Sequence, residues 1–500
     1  MKKNQLIIFL LIIFFNSNLA FTQNTELANT ENSVINALKI LKNDETLKNA
    51  GVGFFAIDIN TGEIIGQLNS DLALKPASTM KIITTATALE VFGANYRFET
   101  QIYYDGEIDT INKVLNGNIH IVGGGDPTLG SKYFAETKSK QFLNDWTKAI
   151  KNLKIDSING AIIGDATIYS WDIVPPTWSW EDMANYFGAG ASGLTIYDSQ
   201  YTLFYQTSSQ IGGNTKITKV EPTIPNLTFE NTVKSGKTNS DKSYIFGEPY
   251  SYSRYIRGEL PAGKNDYKVK GSMPDPAYFA AYELEQNLIS SGIKISEPAT
   301  TVRLLEKEGK LIKKETGKIH TTYSPELYKI VEKTNHISIN LFAEHLLNHI
   351  GLEKNKNGYT KDGANAIEYF WATKNINTGG MSINDGSGLS HYNTITPKQL
   401  ALILSYMKTK SKYSEQFYNS LPITGKSGTL KSVCKGTVAE NMIHAKSGSV
   451  RNVRCYAGYT TSYSGREIAF AIMLNNFNCS SYKARLKMEK IMIALVTLTD

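Results

Sequence analysis

The sequence predicts an α/β fold of the α+β kind, with helices on a five-stranded antiparallel sheet that a β-rich insertion interrupts. Three observations predict it. A helical pattern and a β-hairpin open the chain, three strand patterns and a helix close it, and the stretch between them changes character. From about residue 100 to about 270, short apolar runs alternate with Gly, Asn, Ser and Thr clusters, which reads as strands and loops. Strands from the two ends can complete one sheet, which makes the middle an insertion. No internal repeat of about 20–50 residues competes with that reading.

The elements follow in order. Glu26 to Lys48 spaces Leu27, Val34, Ala37, Leu38 and Leu41 along one helical face. Val52 to Ile59 and Glu63 to Leu68 are strand patterns joined by Asn60-Thr61-Gly62, residues suited to the positive φ of a hairpin turn. A helix opens at Pro76-Ala77-Ser78 and runs to Phe92, with Gly93 as its stop. Val114 to Val122, Gly160 to Ile168, Leu194 to Tyr205 and Lys216 to Val220 are the strand-like runs of the middle, and Ser235 to Lys242 is its most linker-like stretch. Helices are expected at Pro276 to Ile289, Ser324 to Thr334, Leu341 to Ile350, Lys361 to Lys374 and Pro397 to Met407. Strands at Asn441 to Lys446, Val453 to Thr461 and Arg466 to Leu474 and a helix at Tyr482 to Leu498 close the chain.

Composition excludes several classes. The 500 residues allow about three domains, and 41% hydrophobic content with 11% aromatics fits packed cores. The net charge of +7 is spread along the chain without a dense basic block, which disfavours nucleic acid as a partner. Three cysteines build no disulfide framework, and no CxxC pair suggests zinc. Lys2 and Lys3 precede an apolar run from Leu6 to Phe15, a signal-peptide pattern with cleavage expected near Ala20. That run is too short to span about 30 Å of hydrocarbon, and no other segment reaches spanning length, so no stable membrane span is expected after signal removal. Export permits one disulfide among Cys434, Cys455 and Cys479 and leaves a thiol over.

Three constellations carry chemistry. In Ser78-Thr79-Met80-Lys81, residues three apart on a helix share a face, so a lysine amine can reach the serine hydroxyl. To act as base, that lysine must fall from about 10.4 to about 7–8, a shift near 4 kcal/mol in which burial must dominate the helix dipole. In Ser338-Ile339-Asn340, set between two helices, a hydroxyl can relay a proton and an amide can hold a carbonyl; an N-cap is the plainer reading. In Lys446-Ser447-Gly448-Ser449, at the end of a strand, Gly448 lets a substrate backbone approach and Ser449 N–H is a candidate oxyanion donor. Lys426-Ser427-Gly428-Thr429 is a rival copy, set aside because two strands and a closing helix follow the later one.

Each motif alone is weak; their order is specific. They are the S-x-x-K, S-x-N and K-[ST]-G elements of penicillin-binding proteins and serine β-lactamases. The sequence resembles the low-molecular-mass penicillin-binding proteins of the D-alanyl-D-alanine carboxypeptidase/endopeptidase type, which carry a large insertion after the S-x-x-K helix. Pro76 to Lys81 resembles that family's PAS-x-x-K opening, and Gly124-Gly125-Asp126-Pro127-Thr128-Leu129 its GGDPTL signature. Trp178 to Asp182 with Tyr186 to Gly188 resembles W-x-W-x-D…YG, and Asn384 to Ser390 its NDGSGLS loop. Leu421 to Leu430 resembles the segment ahead of the K-[ST]-G strand. His391 stands where the family commonly has arginine, and Ile339 where it frequently has aspartate.

The resemblance implies a β-lactamase/transpeptidase-like catalytic domain from residues 21–100 plus 305–500, an inserted β-rich region at 101–304 in two subdomains, and a signal peptide at 1–20. It implies a periplasmic serine hydrolase, without metal or cofactor, whose Ser78 attacks peptidoglycan stem peptides with Lys81 as base. Ser78 and Ser449 N–H groups would hold the oxyanion. Ser338 and Lys446 would pass protons and anchor the terminal carboxylate, while Asn340, Ser447 and Gly448 would align substrate. β-Lactams would acylate the same serine. Asp165 falls where the family has an acidic residue facing the site; it either pairs with the free ammonium of a diamino-acid stem or is a turn aspartate. A β-lactamase or esterase of the same fold is the first alternative, disfavoured by the long separation of Ser78 from Ser338. A non-catalytic peptidoglycan-binding protein is the second, disfavoured by retention of all three elements. His345 and His349 have zincin-like spacing but no intervening glutamate in place. Gly125 to Lys132 departs from a phosphate loop because Ser131 separates Gly130 from Lys132.

Overall fold

A computed structural model describes residues 33–138, 140–312 and 314–499. The expected signal peptide at 1–20 lies outside the described residues. Two compact units divide the chain. The first comprises the described residues of Met1–Leu74, Ile395–Lys410 and Leu421–Asp500, and the second Lys75–Thr394 with Ser411–Ser420.

The first unit holds the expected sheet. Its strand order is Ile443–Val450, Val453–Thr461, Glu467–Asn475, Gly51–Asp58, Ile64–Leu68, antiparallel throughout. The two N-terminal strands are therefore added to the edge of a three-strand C-terminal meander. Gly62 adopts φ 77° in the hairpin turn, a conformation that a side chain would strain. Strand Gly51–Asp58 is buried almost continuously because both faces are covered. One face packs on the helices Ser33–Lys42 and Ser481–Val496 through Phe54, Phe470, Ile472, Met488, Ile491 and Leu495. The helix Pro397–Thr409, opened by a capping box of Thr396 and Gln399, packs its buried Leu400, Ile403 and Leu404 on the sheet. Tyr459 Oη donates to the Leu404 carbonyl at 2.8 Å from within that sheet.

One boundary differs from expectation. The first C-terminal strand does not stop at Lys446 but continues to Val450, with Ser447 opposite Tyr456, Gly448 opposite Cys455 and Ser449 opposite Arg454. Small polar residues carry no apolar alternation, yet an edge strand with one paired side accommodates them. Cys434, Cys455 and Cys479 form no disulfide.

The second unit contains the S-x-x-K helix and the β-rich segment. Helices Met80–Phe92, Leu327–His336, Asn340–Asn355 and Thr360–Thr373 pack together. Gly93 at φ 87° ends the first of them. Strands form a five-stranded sheet, two four-stranded sheets and a three-stranded sheet. Their core is lined by Ile121, Trp146, Ile162, Leu203, Tyr205, Ile256 and Phe279. The stretch Ser235 to Lys242 is a short exposed connection inside one sheet, at residues 237–241, with strands at both ends. Lys234–Gly236 runs parallel to Ser253–Pro261, Lys242–Phe246 antiparallel to it, and buried Ser235 Oγ accepts from Ser208 N at 2.9 Å. A small polar residue there satisfies backbone rather than marking flexibility.

Candidate active site

Ser78 lies in a single 3₁₀ turn, Ala77–Thr79, that feeds directly into the helix Met80–Phe92. Ala77 has φ 46°, a left-handed conformation that costs a non-glycine residue about 1–2 kcal/mol. Its carbonyl occupies the space beside Gly388, where an added Cβ would come within 1.8 Å of it. Gly388, itself at φ +84°, is therefore required by both its backbone and this close approach. The turn leaves Ser78 half-buried while Lys81, one helical turn on, is fully buried.

Lys81 Nζ has three oxygen neighbours: Ser78 Oγ at 3.1 Å, Asn340 Oδ1 at 2.7 Å and the Ser387 carbonyl at 2.7 Å. A neutral amine has two N–H bonds and one lone pair. The two close acceptors take the N–H bonds, and the lone pair is left facing the serine hydroxyl. Burial pushes the ammonium down to about 7, against the opposing pull of Asp385 and Glu344. A large fraction of the amine is thus neutral near pH 7 and aimed at Ser78, which is the state a general base requires.

Asn340 is fixed at both ends. Its Oδ1 accepts from Lys81, and its Nδ2 donates to the Phe187 carbonyl at 2.8 Å. The Tyr186 to Gly188 turn is therefore part of the site's frame. Ser338, two residues earlier, is half-buried with φ 63°, a second left-handed non-glycine residue at a motif position.

The loop that delivers the Ser387 carbonyl is held by residues whose roles sequence reasoning missed. Glu344, buried one turn after Asn340, accepts from Gly386 N at 3.0 Å and Ser387 N at 2.8 Å. Burial and the neighbouring Asp385 raise its carboxyl above the ordinary range. Asp385 accepts from Gly388 N at 2.7 Å, Asn393 Nδ2 at 2.7 Å, Trp178 Nε1 at 2.8 Å and Ser390 N. Four donors on one buried carboxylate explain how a glycine-rich loop keeps a single shape. The apparent signal was Asp385 in the NDGSGLS segment and Trp178 in W-x-W; their pairing was not visible. His391 is exposed beside this loop.

The Lys446 strand belongs to the first unit. Lys446 is buried and donates to the Ser447 carbonyl at 2.8 Å. Ser447 Oγ donates to Thr429 Oγ1 at 2.7 Å. The rival Lys426 to Thr429 copy is a turn: Ser427 Oγ accepts from Ile423 N at 3.0 Å, and Gly428–Leu430 is a 3₁₀ helix. It supports the later strand through Thr429.

Asp165 ends the strand Ile162–Asp165, and its Oδ1 accepts from Thr167 N at 2.8 Å and Thr167 Oγ1 at 2.6 Å. That is turn geometry on one oxygen. His345 and His349 are buried core residues of the helix Asn340–Asn355. Their ring nitrogens contact Gly125 O, Thr195 Oγ1, Tyr96 Oη and Tyr169 Oη, which leaves no metal-directed pair. Among the described residues, no helix is long and apolar enough to cross a membrane.

Comparison with known proteins places the chain in a family. Residues 34–498 match the D-Ala-D-Ala carboxypeptidase 3 (S13) family. A D-alanyl-D-alanine carboxypeptidase of an Actinomadura species is 27% identical over 445 residues, covering 86% of this chain and 79% of that protein. A penicillin-sensitive carboxypeptidase A of Dictyostelium discoideum is 26% identical over 434 residues, covering 82% of this chain and 80% of that one. The crystal structure of penicillin binding protein 4 from Haemophilus influenzae superposes with a TM-score of 0.75 at 22% identity, over 92% of this chain and 98% of that one.

Proposed function

As the chain belongs to the D-Ala-D-Ala carboxypeptidase 3 (S13) family and is a serine-type carboxypeptidase, we propose that its acyl-enzyme forms on Ser78 with Lys81 as the base. The supporting observation is the buried Lys81 amine, 3.1 Å from Ser78 Oγ, with two other oxygens at 2.7 Å to occupy its N–H bonds.

The steps balance without a cofactor. Ser78 Oγ attacks the carbonyl carbon of the penultimate D-alanine of a peptidoglycan stem and passes its proton to Lys81 Nζ. The C–N bond breaks, and the leaving amine of the terminal D-alanine takes a proton, relayed through Ser338. Water then adds to the ester, returns its proton through the same groups, and releases the shortened stem. When the amine that leaves belongs to a neighbouring stem, the same steps open a cross-link.

Lys446 is assigned to the substrate's terminal carboxylate, Ser447 and Gly448 to its backbone, and Ser78 and Ser449 N–H groups to the oxyanion. Asp165 is assigned to the ammonium of a diamino-acid stem through the carboxylate oxygen that Thr167 does not engage. Asp165→Ala should lose preference for such stems, and unchanged preference would remove it from the site. Residues 101–304 are assigned as an insertion into a catalytic domain formed by 21–100 and 305–500. The basic, apolar N-terminus assigns the mature protein to the periplasm.

Release of D-alanine from a soluble acyl-D-Ala-D-Ala peptide tests the reading. Wild type should release it and Ser78→Ala should not. Equal release by both would place the nucleophile elsewhere.

A further inference from the structure

The three-stranded sheet of the second unit presents a cationic face with an aromatic ring at its centre. Its order is Thr215–Glu221, Gln200–Thr207, Tyr267–Ser272. Alternation along the central strand turns Leu203 and Tyr205 into the core and Thr202, Phe204 and Gln206 outward. Register places Lys219 opposite Phe204 on one side and Lys268 opposite it on the other. Both ammonium groups lie over the Phe204 ring, at 5.1 and 5.2 Å from its centroid.

The row extends in both directions. Lys216 stands opposite Gln206, and Lys270 follows Lys268 on the same strand face. Glu221 shares this face, 3.3 Å from Lys219, and that exposed pair contributes little. Lys132 is held by buried Asp198 at 3.1 Å and by Gln200 Oε1 at 2.9 Å. Burial, Lys132 and Lys268 together lower the Lys270 ammonium, with Asp198 opposing them. Like charges side by side on a sheet are unfavourable, and an anionic occupant relieves that repulsion.

The row also has a direction. Lys270 Nζ lies 6.0 Å from the Tyr186 ring centroid, and the next residue, Phe187, supplies the carbonyl that fixes Asn340. From the lysine face, contacts therefore lead to the amide that holds the Lys81 amine.

We propose that Lys216, Lys219, Lys268 and Lys270, with Phe204 between them, form a docking face for the peptidoglycan strand. Stem-peptide carboxylates pair with the lysines, and the Phe204 ring holds the ammonium groups of Lys219 and Lys268 in place. The proposal rests on peptidoglycan being the substrate; it assigns a second contact that holds polymeric wall while a stem is cut.

Co-sedimentation with purified insoluble peptidoglycan tests it, using full-length mature protein first acylated with penicillin. Acylation by penicillin independently checks the Ser78 reading, so the two can fail separately. Combined Lys216→Gln, Lys219→Gln and Lys268→Gln should weaken wall binding at least tenfold and flatten its salt dependence. D-Alanine release from a short soluble peptide should stay within twofold. Unchanged wall affinity in the triple variant would overturn the proposal. So would equally tight binding of wild type to phosphatidylglycerol vesicles, which would make the face a membrane contact.

Discussion

Asn340 Oδ1 accepts a hydrogen bond from Lys81 Nζ at 2.7 Å across 259 residues of sequence. This contact, with the Ser387 carbonyl, sets the rotation of the amine and hence where its lone pair points. Asn340→Ala removes one constraint on Lys81. β-Lactam acylation should slow about 100-fold, the scale of a single positioned group in catalysis. Asn340→Asp adds a carboxylate beside the amine and should move the pH midpoint of acylation upward by at least one unit. Stopped-flow acylation across pH separates the two, and an unshifted midpoint in Asn340→Asp would remove Asn340 from the base's environment.

Wild-type acylation should itself rise with pH through a midpoint near 7, because burial holds Lys81 there and the neutral form is the base. Stability carries the same signature. In the unfolded chain the lysine titrates near 10.4, so between about 7 and 10.4 the unfolded state binds the extra proton. The penalty for burying Lys81 is full below about 7 and disappears above about 10.4. Relative to Lys81→Met, wild type should therefore gain about 2–3 kcal/mol from pH 6 to pH 9. Urea denaturation of both proteins at the two pH values measures it, and a constant gap would mean the lysine keeps an ordinary affinity for its proton.

Trp178 donates its indole N–H to Asp385 at 2.8 Å. Trp178→Phe keeps the ring and deletes the donor on a buried carboxylate. A loss of about 1–3 kcal/mol in stability is expected. Acylation should fall as well, because Asp385 shapes the loop that brings the Ser387 carbonyl to Lys81. Unchanged acylation with reduced stability would confine Trp178 to a structural role.

Gly388→Ala places a methyl group against the Ala77 carbonyl, beside the nucleophile turn. Either the loop or the turn must move. Acylation should drop by at least tenfold while far-ultraviolet circular dichroism stays native. Full activity would show that the turn yields without disturbing Ser78.

How much of this was legible in the sequence depended on the kind of contact. The five-stranded sheet was readable because Val52 to Ile59, Val453 to Thr461 and Arg466 to Leu474 have strand periodicity, and a hairpin turn marks the first pair. Ser78 and Lys81 were readable because their relation is local, one helical turn. The extent of the Lys446 strand was not, since Ser447-Gly448-Ser449 carries no alternation and its register is set by Tyr456, Cys455 and Arg454 across the sheet. The clamp formed by Glu344 and Asp385 was not readable either. Trp178 and Asp385 are separated by 207 residues and meet through folding alone. Ser235 looked like linker because its polarity serves a backbone partner that sequence does not reveal.

Intact-mass analysis after penicillin treatment, with peptide mapping of the adduct, decides whether Ser78 is the nucleophile. A single acyl adduct on Ser78, absent in Ser78→Ala, is expected. An adduct on another residue, or none on well-folded wild type, would contradict it.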